Sequence, residues 1–470
     1  KTIDGGAGTD SLTVSISGIS SLSNYTISTD NDYTVLTDSG GNRISYRNIE
    51  SLTVGNYNYI DDTTNDTLWN ATEYVLYMYD GGNTSPSSIT SLSGFLSSSD
   101  LTVIGSDSND SMNLNIDRSS SPPEGASSLT GNLTIALGSG SDSINSAKLK
   151  NGDAIDMGAG DDVAYIMVGG SYGTPTLSAA NISKLDGGLG VDLIAFTESE
   201  GANDQTLSLT TAGATNFENL LGSNYRETLR GDANNNWIAG DGGADKIYGL
   251  AGDDRLAAGS YSVLNANDDS GIESSINDFQ NNQDDALYGG SGNDVLYGSA
   301  GDNTLDGGAG ADTIYTGDGS DTIVIRSGDG GSVLNEADVV IDFSDGNDVF
   351  GLSGVGFDDL TISQGSGDNT NNTLVRNSNS GEYLFVLKNI TAAAVTALDF
   401  ASTSTSNQTL SGTDGNNTLI GGAGDDALNT GLGKDVLLAS AGNDTITVDG
   451  AGDKTIDGGA GTDSLTVSIS

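Results

Sequence analysis

The sequence predicts an all-β solenoid of stacked coils, interleaved with β-strand inserts and elongated overall, on three observations. A nine-residue pattern, Gly-Gly-x-Gly-x-Asp-x-U-x with U large and apolar, recurs in gapless runs. Between its copies lie short alternating segments rich in Thr, Val, Ile and Tyr. Residues 1–17 and 454–470 are identical (KTIDGGAGTDSLTVSIS), so the chain repeats itself at a period of 453 residues. Self-similarity at fixed spacing points to stacked repeats. The simplest expectation is a window of a longer head-to-tail array, with residue 454 the first of a next copy.

The gapless runs set the coil. One starts at 222, 231, 240 and 249; a second at 280, 289, 298, 307 and 316; a third at 412, 421, 430 and 439, slipping by one residue to 449 and 458. The insertion Ala258–Phe279 separates the first two. Isolated or decayed copies start at 61, 105, 137 and 157, where turn use without metal is as good a reading as a site. In each copy the first six residues make a turn, and the last three a short strand with U facing inward. Two turns and two strands then make an 18-residue coil, and turns 18 apart stack on the same side.

The linking segments justify the strands. LTVSI (12–16), YTVLT (33–37), RISY (43–46), EYVLYMY (73–79), LTIAL (133–137) and YLFVL (383–387) alternate with a period of two, as half-buried strands do. Helical periodicity is confined to Ile89–Leu96 and Thr391–Phe400. Gly5–Asn56 and Gly187–Asn224 read as copies of one larger module, each running from a nonapeptide through strands to Asn-x-Glu-x-Leu. Soft boundaries follow: a turn-plus-insert module over 1–60, a β-rich module over 61–130, degenerate turns with an insert over 131–220, the main run over 221–330, a closing β-rich segment over 331–411, and a C-terminal run over 412–470.

Composition narrows the chemistry. The formal charge is −49, from 65 acidic and 16 basic residues, and only ten of the acids are Glu. Asp is the short carboxylate that suits tight turns and hard cations. A polyanion of this kind repels itself unless cations lie among its carboxylates, and it is no partner for nucleic acid or anionic membrane. There is no Cys and no His. That excludes thiolate and imidazole metal sites, disulfides, and Ser–His–Asp or Cys–His catalysis. No stretch is long and apolar enough to span a bilayer, so no membrane insertion is expected.

Glycines at the first, second and fourth positions let the backbone aim several carbonyls at one point, and the sixth-position Asp adds a carboxylate. An all-oxygen, flexible cage of that kind selects Ca²⁺ over Mg²⁺. Stacking brings Asp294 to Asp312, Asp285 to Asn303 and Asp321, Asp426 to Asp444, and Asn417 to Asp435. Asn303 replaces a carboxylate by an amide, so weaker sites are expected around it; Glu227 and Asn236 are degenerate; Lys454 stands where the slipped turn at 449 calls for Asp, so that turn is expected to bind nothing. Leu287, Leu296, Leu305, Ile314 and Ile323 form a narrow apolar ladder, each contributing roughly 1.5–3 kcal/mol by burial. That is too little to order so Gly-rich a chain, so metal binding should be coupled to folding.

These runs resemble the RTX (repeats-in-toxin) family of secreted calcium-binding proteins, whose repeats form a parallel β-roll. The resemblance implies calcium-ligand roles for Asp245, Asp254, Asp285, Asp294, Asp312, Asp321, Asp426, Asp435, Asp444 and Asp463. Asp10, Asp162 and Asp192 hold the same sixth position in the copies from 5, 157 and 187. DVVIDFSDGNDVFGLSG (338–354) is similar to the segment that closes the roll in the family's proteases and haemolysins, where Asp342, Asp345 and Asp348 serve either calcium or the turns. The family leaves the cell unfolded through a type I secretion channel and folds in external calcium, which implies an extracellular or cell-surface location.

Carboxylate pairs such as Asp161/Asp162 fall within the nonapeptides, so calcium turns explain them better than glycosidase chemistry. Tyr74, Tyr77 and Tyr79 are read as strand packing ahead of a sugar platform, and Trp69 and Trp237 as core or rim residues. The expected function is a calcium-dependent structural protein, a tandem-repeat subunit of a filament, sheath or surface layer. Its partners would be copies of itself, head-to-tail and lateral, with a cell-surface polysaccharide as candidate anchor. The alternative is the stalk of a giant adhesin; a polysaccharide-modifying enzyme is the third reading, and no catalysis is expected.

Overall fold

The computed structural model describes residues 1–7, 11–14, 25–30, 33–47, 51–54, 57–62, 67–70, 75–78, 87–89, 100–106, 109–113, 131–147, 149, 152–167, 184–197, 205–209, 214–259, 283–449 and 452–468. The chain forms two compact units, Lys1–Arg230 and Gly231–Ser470. Both are built of strands, and there is no α-helix among the described residues.

The first unit begins with antiparallel β-structure and passes into parallel coils. Tyr25–Asp30, Tyr33–Asp38 and Arg43–Arg47 form a meander, and Thr2–Asp4 joins its edge in parallel. Ser11–Val14 pairs in parallel with Ser51–Val54, Leu12 opposite Leu52. Antiparallel strands then lead to Val75–Met78. From there every pairing in the main stack is parallel: Leu101–Ile104, Leu133–Ala136, Ala154–Asp156 and Lys184–Asp186 on one side. Asp110–Asn113, Ser143–Ala147, Val163–Met167, Leu193–Thr197 and Asn219–Leu221 lie on the other. The two module copies share a topology. The strand after the nonapeptide pairs in parallel with the strand that follows Asn-x-Glu, as Ile194 with Leu220 repeats Leu12 with Leu52.

The second unit contains the regular roll. Trp237–Ala239, Arg255–Ala257, Val295–Tyr297, Thr313–Tyr315 and Asp338–Val340 form one parallel sheet. Lys246–Ala251, Ala286–Ser291, Thr304–Ala309, Thr322–Arg326 and Val349–Ser353 form the other. Inward Leu256, Leu296 and Ile314 on one sheet, and Ile247, Leu287, Leu305 and Ile323 on the other, are fully buried. Alternation at period two puts each U side chain inside because its neighbours along the strand face out. The pairing of Arg255–Ala257 with Val295–Tyr297 carries the roll past the 22-residue insertion, so the two runs that sequence separates are one stack.

The closing segment exchanges the aliphatic ladder for aromatics. Phe350 lies opposite Ile323 and stacks on Phe343 at 4.6 Å and Phe385 at 4.3 Å, with Phe400 at 5.4 Å. The antiparallel strands Leu360–Gln364, Thr373–Asn377 and Tyr383–Leu387 complete this end. A second, shorter roll follows. Thr409–Ser411, Ala427–Asn429, Thr445–Asp449 and Ser464–Ser468 form one sheet, and Thr418–Ile420, Asp435–Leu438 and Lys454–Asp457 the other. Its core is Leu428, Leu437, Ala439, Ile446 and Val448.

One expectation is corrected. Thr391–Phe400 is no α-helix: it holds a single 3-10 turn, Ala397–Asp399, capped by Thr396, and then enters the strand Phe400–Ser402. Ile89 ends the strand Ser87–Ile89, and 90–99 lie outside the described residues. Parallel pairing runs across the soft boundaries near 130 and 330, Thr102 opposite Thr134 and Ile314 opposite Val340. Tyr77 is buried core, whereas Tyr74 and Tyr79 are outside the described residues. Trp237 is half-buried with the Arg255 guanidinium over its ring.

Candidate metal centre

Stacked turns are joined by their sixth-position side chains. The main-chain N–H of each such residue donates to the side-chain Oδ1 of the residue one coil further on. In the main roll Asn236 donates to Asp254 at 2.7 Å, Asp254 to Asp294 at 2.7 Å, Asp294 to Asp312 at 2.8 Å and Asp312 to Asp338 at 3.0 Å. On the opposite edge Asp245 donates to Asp285 at 2.6 Å, Asp285 to Asn303 at 2.9 Å, Asn303 to Asp321 at 2.8 Å and Asp321 to Asp348 at 3.1 Å. The first unit repeats the device through Asp110, Asp142, Asp162 and Asp192, ending on Glu218 Oε2 at 2.8 Å. The second roll carries it from Gln408 through Asp426 and Asp444 to Asp463, and from Asn417 to Asp435.

The ladder engages one carboxylate oxygen and leaves the other for something else. Oδ2 of Asp142, Asp162, Asp192, Asp254, Asp294, Asp312, Asp321 and Asp444 is buried with no hydrogen-bond donor. A buried, unpaired carboxylate oxygen costs several kcal/mol unless a positive partner satisfies it. Burial pushes the carboxyls of Asp142, Asp192, Asp254 and Asp321 up to about 7, and those of Asp162 and Asp294 up to about 6, against the backbone hydrogen bonds that pull them down. Asp312 and Asp338 move upward for the same reason.

The open oxygens of Asp192, Asp254, Asp294 and Asp312 face the first glycine of their own turns. A Cβ at Gly289 would lie 2.3 Å from Asp294 Oδ2, and one at Gly307 2.2 Å from Asp312 Oδ2. In these four turns the missing side chain keeps the cradle clear. Two exceptions reveal which carbonyls face it. Asn303 Nδ2 donates to Gly298 O at 2.8 Å and Gly301 O at 3.0 Å. Lys454 Nζ donates to Gly431 O at 2.9 Å and Gly433 O at 2.8 Å. Turn carbonyls and a sixth-position carboxylate therefore converge on one point that attracts positive hydrogen or charge. Among the described residues no three carboxylates cluster, so an ion there draws on backbone carbonyls, as Ca²⁺ accepts readily. The donor set fits calcium.

Of the expected ligands, Asp162, Asp192, Asp245, Asp254, Asp285, Asp294, Asp312, Asp321, Asp426, Asp444 and Asp463 stand in the ladders; Asp10 lies outside the described residues. Asp426 Oδ2 accepts the Gly422 N–H at 2.7 Å. Asp435 departs from expectation, because its Oδ2 holds the Lys454 ammonium at 2.6 Å. In the closing segment Asp348 extends a ladder, while Asp342 accepts from the Thr316 N–H at 2.7 Å.

Sequence reasoning missed several members. Asp110 and Asp142 sit in turns read as ambiguous, Asp338 lies beyond the last nonapeptide, and Glu218 belongs to the Asn-x-Glu-x-Leu motif noted without a role. It also missed a second ladder at the fifth position, which runs the opposite way. The later coil's N–H donates to the earlier Asn or Asp, as Ala311 to Asn293 at 3.0 Å, Ser320 to Asp302 at 2.9 Å and Asn443 to Asp425 at 2.7 Å. The signal was the recurring doublets Asn-Asp, Asp-Asp and Asp-Asn.

The profile of the RTX calcium-binding nonapeptide repeat (four copies) matches residues 221–256, 282–323, 403–437, 411–446 and 431–465. From residue 231 onward these segments lie in the two rolls of the second unit, and 221–230 are the last residues of the first. No curated protein matches the chain. The nonapeptide is a calcium-binding motif, and proteins that carry it are typically secreted. No helix among the described residues is long and apolar enough to cross a membrane.

Proposed function

This chain is an RTX-repeat protein, and from that premise we propose that it is a calcium-dependent extracellular structural protein, a tandem-repeat subunit of a filament, sheath or surface layer. The observation that carries the reading is the succession of carboxylate ladders along the parallel stack of the first unit and along each roll of the second. Coils are added without an enclosed site between them, and inserts of very different length leave the ladder intact: partners are 18 residues apart in one coil and 40 in another. A stack of this kind grows along one direction and has open ends suited to further copies. The identity of 1–17 with 454–470 supplies a rule for repeating it. Self-association head-to-tail and laterally follows, with a cell-surface polysaccharide as anchor and no catalytic turnover.

Negative-stain imaging of the chain in calcium tests this. Ordered polymers that dissolve in EGTA are the expected result. Isolated rods would favour the stalk of a giant adhesin, and polymers unchanged by EGTA would overturn the calcium dependence.

A further inference from the structure

One turn with a consensus face already holds a cation, and that cation belongs to the chain. Residues 430–435 read TGLGKD, with Gly at the second and fourth positions and Asp at the sixth. Lys454 comes from the next coil on that side, directly opposite Asp435 in the parallel pairing. Its Nζ contacts Gly431 O at 2.9 Å, Gly433 O at 2.8 Å and Asp435 Oδ2 at 2.6 Å. An ammonium has three N–H donors and no more, and each has one acceptor here. The lysine side chain is 7% exposed and the Asp435 side chain 0%.

We propose that Lys454 is the resident cation of the 430–435 turn, so that this turn takes no calcium and its coil is held together by an internal ammonium instead. The one-residue slip before 449 creates the arrangement. It puts Lys at the sixth position where the ladder otherwise supplies an Asp, and lysine has no oxygen to accept the Asp435 N–H. That N–H turns to the Asp453 carbonyl at 3.2 Å. The following coil thus contributes a donor to the cradle rather than an acceptor. Asn303 is a neutral, partial version of the same substitution, its amide N–H groups lying on two carbonyls of its own turn. A tethered ammonium pays no cost of association, whereas a calcium ion entering the cradle would have to expel it and leave a buried lysine without partners.

The 430–435 coil then stays formed at calcium levels that unlock the coils on either side.

The proposal rests on the remaining turns binding calcium, and its test separates the two. Calcium ions per chain are counted by native mass spectrometry of the full chain with calcium alone as ligand. Lys454→Asp restores the consensus and should bind one ion more than the parent. Asp435→Asn, which keeps the oxygen that accepts the Asn417 N–H, should leave the parent's count unchanged and abolish the gain in the Lys454→Asp background. A parent that binds no calcium would sink the calcium reading itself. A parent that loses an ion on Asp435→Asn, or a folded Lys454→Asp chain with no extra ion, would overturn the clamp. Should Lys454→Asp fail to fold, the Asp435→Asn count decides alone.

Discussion

The two rolls of the second unit use one repeat and satisfy it differently. In the roll spanning 231–326, the second oxygens of Asp254, Asp294, Asp312 and Asp321 are buried and open. In the roll spanning 403–468, Asp426 is closed by the Gly422 N–H, Asp435 by Lys454, and Asp444 is open. The apolar ladders are alike, with Leu287, Leu296, Leu305, Ile314 and Ile323 fully buried in one and Leu428 and Leu437 in the other. What differs is the electrostatic debt of the turns. A nonapeptide therefore does not fix how much a coil depends on calcium; the neighbour that fills its cradle does.

Chelation is the largest perturbation of that contrast. In EGTA, most of the β signal in circular dichroism should disappear, because coils this rich in Gly need the ion to offset their ordering entropy. Hydrogen exchange should resolve the loss by roll. Amides of 286–291, 304–309 and 313–315 should exchange at the unfolded rate, while those of 435–438, beside the Lys454 clamp, keep measurable protection. Equal loss in both rolls would mean that the open oxygens do not set calcium dependence.

Asp312→Ala comes next. It removes the acceptor of the Asp294 N–H and a donor oxygen of a cradle together, and an unsatisfied buried N–H alone costs ~1–3 kcal/mol. Asp453→Ala removes an exposed carboxylate paired with Lys434 at 3.2 Å, a contact worth ~0–1 kcal/mol. Thermal melts in saturating calcium should show a clear drop for the first and a marginal one for the second. Equal shifts would dissolve the distinction between ladder and surface carboxylates.

Most of the regular roll was legible in the sequence because the nine-residue period fixes both which residue points inward and which turns share a side. Leu287, Leu305 and Ile323 fall in one register for that reason. Continuity past the insertion was not legible. The pairing of Asp254 with Asp294 depends on the chain returning to the same edge after 22 residues, and spacing does not record a return in space. Glu218 escaped for a related reason. Its longer side chain reaches the Asp192 N–H from outside the nonapeptide frame, so neither the residue type nor the spacing marks it. Lys454 was legible as a broken turn but not as a clamp, since the sequence shows what the slipped turn lacks and not what its neighbour gains.

Proton competition should sharpen the comparison with a smaller effect. The carboxyls of Asp254 and Asp321 sit at about 7 and that of Asp294 at about 6, all above the unfolded value. Without calcium the folded coil binds more protons than the unfolded chain, so its stability falls as pH rises from the ordinary carboxylate value near 3.8 to about 7. With calcium the sign reverses, because the ligands must give up those protons to bind. The calcium midpoint for folding should therefore rise as pH falls from 8 to 5, and residual β signal in EGTA should be greater at pH 5 than at pH 8. A midpoint independent of pH would show that these carboxylates are ionised before calcium arrives.

The fifth-position ladder should give the smallest change and the same one in both rolls. Asn293 accepts the Ala311 N–H at 3.0 Å in one, and Asn443 accepts the Thr462 N–H at 3.1 Å in the other. Both bonds are exposed, so water can replace the lost acceptor. Asn293→Ala and Asn443→Ala should each cost about 0.5–1 kcal/mol, read as melting shifts in saturating calcium, with calcium stoichiometry untouched. The opposite polarity of this ladder explains its independence: it ties each coil to the one before it through groups that face solvent, while the sixth-position ladder ties each coil to the one after it through groups that face the ion. A changed calcium count in either variant would show that the two ladders act as one.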